Sequence, residues 1–350
     1  MRQVRRGFAL IDRWQRRHRS AAVCWAVIRK FGNDQANLLV VALGWYGFTA
    51  IYPLLLVVIT VFGYIGQASL GHGIVSTLHQ FPVIGAQFNP GRPASSLHGS
   101  IVGLVIGVVG LIYGAQGVTQ TAESAMCQVW NVPRYQRPGF FPALGRSLLG
   151  LVAISLAFVV NASAGSIASG YGQSIATRVP IIVGMLVINV GFYLAAFRAL
   201  TPGGVTTKSL LPGAMVGAVG FTFLITLGTG LVEHQLRHTT ATYGAFASVI
   251  GVVTFLLLLS KVSVYAAELN PVLDRKLWPR AMPTVEPTEA DRRVLRDLVH
   301  EERRREDQTI GVGFGEDSEQ QVSDDAYRSK LDQEPSRPRG NRSETQLPGS

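Results

Sequence analysis

The residues best suited to chemistry stand late in the chain. Lys261, Tyr265 and Glu268 are spaced four and three residues apart, which on a helix puts them on one face. An ammonium and a carboxylate in an apolar run are costly unless they meet a partner, a cavity or the headgroup region. Two readings follow. Either Lys261 and Glu268 line or gate a polar path, or Lys261 snorkels to nearby headgroups. Glu123 and Arg198 are further candidates for buried pairing, and Asn161 and Asn189 for hydrogen bonds between helices. Glu233, His234 and His238 form a second constellation, because histidines at i and i+4 can share a metal ion. Their order is not the His-Glu-x-x-His of zinc hydrolases, and the sequence predicts neither a metal site nor a cofactor. There is no phosphate-binding loop, dinucleotide fingerprint or nucleophile elbow. Clustered carboxylates for a two-metal site are also absent. We therefore expect no enzyme, and a ribonuclease is the least favoured function.

The elements that must position these residues are six long apolar runs: Leu38–Ile65, Ile101–Thr121, Ser147–Ile167, Val179–Leu200, Leu210–Val232 and Ala241–Ala267. Each is about 20 residues or longer, enough to cross a hydrocarbon layer about 30 Å thick as a helix. Lipid offers the backbone no hydrogen-bond partners, so spanning segments of this kind are helical. The expected fold is an all-α polytopic membrane bundle of six transmembrane helices. The net charge of +10 comes from a basic N-terminus and arginines at the membrane edges. It does not point to nucleic acid, since a soluble binder would not carry six such runs.

Basic residues mark the cytoplasmic loops of membrane proteins. The lead before the first run holds Arg2, Arg5, Arg6, Arg13, Arg16, Arg17, Arg19, Arg29 and Lys30, whereas the next connection holds only Arg92. Arg134, Arg137 and Arg146 follow, then Arg178 alone, Arg198 with Lys208, Arg237 alone, and finally Arg275, Lys276 and Arg280. This alternation predicts that both termini are cytoplasmic. Cys24 and Cys127 then lie on the reducing side or in the membrane, where a disulfide is not expected.

Four regions follow. Residues 1–37 form a basic amphipathic segment, read first as a topology signal and second as a surface anchor to anionic lipid. Residues 38–270 hold the six spans. Residues 271–310 are a charged cytoplasmic segment with a short exposed helix near Arg292–Asp307. Residues 311–350 have the composition of a disordered tail. Tyr52 and Pro53 sit inside the first span, where a proline kinks a helix. Gly99, Gly103 and Gly107 repeat every four residues, as do Gly110 with Gly114 and Gly213 with Gly217. Such spacing lets helices approach closely. Packing inside the bundle is favoured over a homo-oligomer seam. Beyond the second span, Gln116–Val132 reads as a semi-polar extension or a partly re-entrant helix.

Three stretches carry a family resemblance. They are Phe31–Asp34 with Ala42–Leu56; Ala125–Val132 with Arg137–Phe140 and Arg146; and Tyr243–Ile250 leading to the Ala267–Asn270 motif Ala-Glu-Leu-Asn. Together they resemble the YihY/BrkB family of bacterial inner-membrane proteins, once mislabelled ribonuclease BN, over about residues 25–275. Cys127 departs from the family's usual Asn, and Lys261 stands in a stretch that is normally apolar. The resemblance implies a six-helix cytoplasmic-membrane protein tied to envelope integrity and to envelope-lipid handling. Membrane lipids are then the expected partners. The residues expected to line a path are Tyr52, Pro53, Glu123, Lys261, Tyr265 and Glu268. The other expectation is a membrane scaffold that docks cytoplasmic partners through its charged tail.

Overall fold

The computed structural model describes residues 12–65, 101–137, 175–201, 203–236, 244–283 and 285–314. Every regular element among them is helical: α1 (Arg19–Asn33), α2 (Ala36–Ile65), α3 (Ile101–Val129), α4 (Ile175–Leu200), α5 (Thr207–Leu236), α6 (Gly244–Asp274) and α7 (Glu289–Glu301), with a short 3-10 turn at Arg134–Gln136. The expected span Ser147–Ile167 lies outside the described residues, as do Gly99, Asn161 and His238. Of the described stretches, Val105–Val129, Ile182–Leu200, Thr207–Ile225 and Val249–Asp274 are long and apolar enough to cross a membrane, and Ala36–Ile51 is a shorter apolar helix. The chain divides into two units, Met1–Glu306 and Asp307–Ser350.

Helix α3 runs unbroken from Ile101 to Val129, so Gln116–Val129 continues the same helix as the apolar run before it. Its end is set by Asn131, whose φ of 50° is left-handed, a conformation that Asn tolerates well. Val132 N–H then bonds back to Cys127 O at 2.8 Å, the helix-ending pattern that closes on a left-handed residue. Helix α6 ends in the same way, with Lys276 at φ 53° and Leu277 N–H on Val272 O at 3.0 Å.

Helix α2 packs on α3 and α6, α5 packs on α6 and α4, and lighter contacts join α3 to α4 and α6. Glycines mark the closest approaches. A Cβ at Gly114 would come within 2.8 Å of the Ala50 backbone, and one at Gly110 within 2.9 Å of the Pro53 ring. At Gly213 it would strike the Ala266 carbonyl, and at Gly217 it would reach the Tyr193 ring at 2.8 Å. These glycines pack helices of the same chain against one another, α3 on α2, and α5 on α6 and α4. Gly103 lies on α3 and Gly107 is buried there.

The main apolar core gathers Met126, Val129, Trp130, Tyr193, Phe197, Leu210, Ala214, Ala218, Ala266 and Ala267. It joins the last turns of α3, α4 and α6 to the first turns of α5. Helix α1 covers the last turns of α6. Phe31 packs with Val264, and Ala26 and Val27 pack with Val272.

Candidate functional site

The end of α3 leaves two carbonyls without helical partners, those of Val129 and Trp130. Cations take both. Lys30 Nζ donates to Val129 O at 2.8 Å, and Arg275 Nη2 donates to Trp130 O at 2.9 Å. A cation at a helix C-terminus is favoured by the helix dipole.

Lys30 lies at the centre of a fully buried charge cluster. Its Nζ is 3.0 Å from Glu268 Oε2 and also donates to Asp34 Oδ2, and all three side chains have 0% exposure. Gln128 donates to the Asp34 carbonyl and so ties the same corner to α3. Burial works against the Lys30 ammonium, yet the flanking Glu268 and Asp34 carboxylates outweigh it and hold its pKa above the ordinary lysine value. Burial pushes the Asp34 carboxyl up, against the pull of Lys30. Two residues beyond Glu268, buried Asn270 accepts the Gly213 N–H at 2.7 Å through Oδ1. This bond sits at the tightest crossing of α5 and α6.

A polar seam continues from there between α4, α5 and α6. Tyr193 Oη and Ser263 Oγ are 3.0 Å apart, and Asn189 Nδ2 lies 3.4 Å from Thr222 Oγ1. Asn189 and Asn270 are both buried, at 2% and 0% exposure. Their neighbours Phe197, Leu210, Ala214 and Ala218 are apolar. Satisfied polar pairs between spans hold helices in register at a modest energy per bond.

On the other side of α1 a second network joins the two ends of the 12–306 region. Thr288 caps α7 in a reciprocal capping box with Asp291. Asp291 also accepts from Arg280 Nε at 2.9 Å and Ala281 N at 2.8 Å. Burial opposes its charge, but these backbone and side-chain donors together hold its pKa below the ordinary aspartate value. Asp12 accepts Met282 N–H, and Gln15 donates to Arg280 O at 2.7 Å. At the far end of α7, Glu301 accepts from Arg137 at 2.6 Å and Asn131 at 3.0 Å. The charge-dense stretch that reads as an exposed helix is therefore half-buried, with Ala290, Asp291, Val294 and Glu301 inward.

The structure separates the residues expected to line a path. Glu268 is buried against Lys30, while Lys261 is exposed on α6, so the two do not form a pair. Tyr265 stacks on Phe31 with ring centroids 4.0 Å apart. Pro53 packs on Gly110, Glu123 is buried on α3, and the Tyr52 side chain is outside the described residues. Arg198 is exposed. The side chains of Glu233 and His234 are likewise outside them, and no group of metal-ligating side chains occurs among the described residues. Lys30, Asp34, Tyr193, Ser263 and Asn270 were not among the expected site residues. Asp34 and Asn270 do stand in the stretches that carry the family resemblance; Lys30, Tyr193 and Ser263 signal only by being polar or charged beside or within apolar runs.

Long apolar helices with buried polar seams define a multi-pass membrane protein. Residues 27–288 match the family described as Virulence factor BrkB, and the chain belongs to that family. No curated protein matches the chain. No solved structure matches it either.

Proposed function

We propose that this protein moves or accommodates a lipid or other amphipathic envelope molecule in the bacterial cytoplasmic membrane, and so serves envelope integrity without acting as an enzyme. The observation that carries this reading is the polar seam Asn189–Thr222, Tyr193–Ser263 and Gly213–Asn270, leading to the buried charges at Lys30, Asp34 and Glu268. A seam of this kind offers headgroup-like partners to a molecule whose tails remain in lipid. Close-packed glycines on α3 and α5 leave smooth faces on which helices can shift.

Six spans with cytoplasmic termini are part of the proposal. The start of α2, the ends of α3 and α4, the start of α5 and the end of α6 meet at the charged end, around the core and the Lys30 cluster. Helix α4 has 26 residues, about 39 Å at 1.5 Å per residue, so its start lies far from that end. The chain therefore leaves Arg137 at the charged end and returns at Ile175 at the other. The apolar run Ser147–Ile167 of the sequence is long enough to supply a sixth crossing, and the excess of basic residues supports a cytoplasmic location for the charged end.

The test is reconstitution of the purified protein into liposomes carrying a fluorescent lipid in one leaflet. Protein-dependent exchange between leaflets is expected. Leaflet exchange no faster than in empty liposomes, with folded protein confirmed, contradicts the reading. A scaffold docking partners through the tail is the second reading, favoured by the separation of Asp307–Ser350 as its own unit. Truncation after Glu306 decides it: full envelope function without the tail removes the scaffold reading.

A further inference from the structure

The Lys30 cluster is unbalanced. It places two carboxyl groups, Asp34 and Glu268, against one ammonium, with all three side chains at 0% exposure. Both carboxyl groups contact the same Lys30 Nζ, which brings the two negative groups close together. No donor reaches Asp34 Oδ1 or Glu268 Oε1, so acceptor oxygens stand buried with nothing to accept from. Two like charges that close, out of water, cannot both remain ionised at ordinary cost.

The remaining charged groups around the cluster do not restore the balance. Helix α2 contributes no charged side chain. Helix α3 contributes the Val129 carbonyl and Gln128, and its one charged side chain, buried Glu123, is a further carboxyl that adds no positive charge. Arg280, from the segment after α6, favours the ionised form of Asp34, but it is hydrogen-bonded to Asp291. Glu301 of α7 adds further negative charge near Asp34.

We propose that Asp34 and Glu268 hold one proton between their carboxyl groups, forming a buried proton-binding site that carries a single negative charge against the ammonium of Lys30. The proton fills the gap between the two facing acceptors, and the remaining charge is neutralised by Lys30. Such a pair titrates as a unit. It joins α1 to α6, so proton release leaves two carboxylates repelling each other across that contact.

The proposal makes a non-additive demand. Asp34→Asn and Glu268→Gln each leave one carboxylate for Lys30, so each single variant folds and melts close to the wild type. The double variant leaves Lys30 buried with no counter-charge, and its midpoint falls by about 10 °C. Infrared spectroscopy of the full-length protein in lipid supplies the direct readout. The wild type at neutral pH shows a protonated-carboxyl stretch that shifts in heavy water, and each single variant lacks that component. Glu268→Asp, which keeps the proton count, retains a shifted band even where the amide variants fold poorly. The proposal is overturned if the wild type has no such band, if the component survives both single substitutions, or if the two destabilisations simply add.

Discussion

Lys30 Nζ and Glu268 Oε2 stand 3.0 Å apart across 238 residues of sequence, and neither side chain reaches solvent. This contact fixes α1 to the last turns of α6, and the Lys30 bond to Val129 O brings in the end of α3. Breaking one side of a buried pair leaves an uncompensated charge, at about 3–5 kcal/mol. Lys30→Met should therefore lower stability by about that amount. Thermal unfolding in detergent measures it, and a shift no larger than that of an exposed-site control such as Lys261→Met would show that the pair contributes nothing.

The α5–α6 crossing is equally specific. Gly213→Ala would press a methyl group onto the Ala266 backbone carbonyl, which cannot rotate away. The expected cost is about 1–3 kcal/mol. Gly184 on α4 has nothing within 4 Å of its missing Cβ, so Gly184→Ala should be neutral or gain up to about 1 kcal/mol from helix propensity. Melting curves of the two variants should separate in that order.

Acid should loosen the α7 network first. Asp291 has a folded pKa below the ordinary 3.8, so its contribution is complete above that value and is lost as pH falls through the folded one. Asp34 has the opposite sign: its raised folded pKa means that its ionisation costs stability as pH rises. Asp291→Asn should lower stability at neutral pH and flatten the acid limb of a midpoint-versus-pH curve. An unchanged acid limb would remove Asp291 from this role.

Much of the scaffold was readable from apolar run lengths. Five described helices overlap the expected spans, because a segment without solvent must bond its own backbone, although α3 and α6 run past the expected ends to Val129 and Asp274. The pairing of Glu268 was not readable. Lys261 shares its helix face at seven residues' distance, but α1 covers that face only around Val264–Val272, where Phe31 and Val27 pack. A turn before Val264 the same face is open, so Lys261 is exposed and Glu268 is not. The burial of α7 is hidden in the sequence for a related reason. Its charge density suggests a solvated helix, yet Asp291 is buried against Arg280 of the segment before the helix, and Glu301 against Arg137, 164 residues away. Contacts of that separation leave no periodic trace in sequence.

The most direct measurement compares leaflet exchange of a fluorescent lipid in liposomes containing wild type, the Tyr193→Phe/Asn189→Ala variant and Lys261→Ala. The polar seam is predicted to carry the exchange, so the seam variant should lose most of the wild-type rate while Lys261→Ala, changed on the exposed face of α6, retains it. Equal rates in wild type and a folded seam variant would contradict a path between α4, α5 and α6.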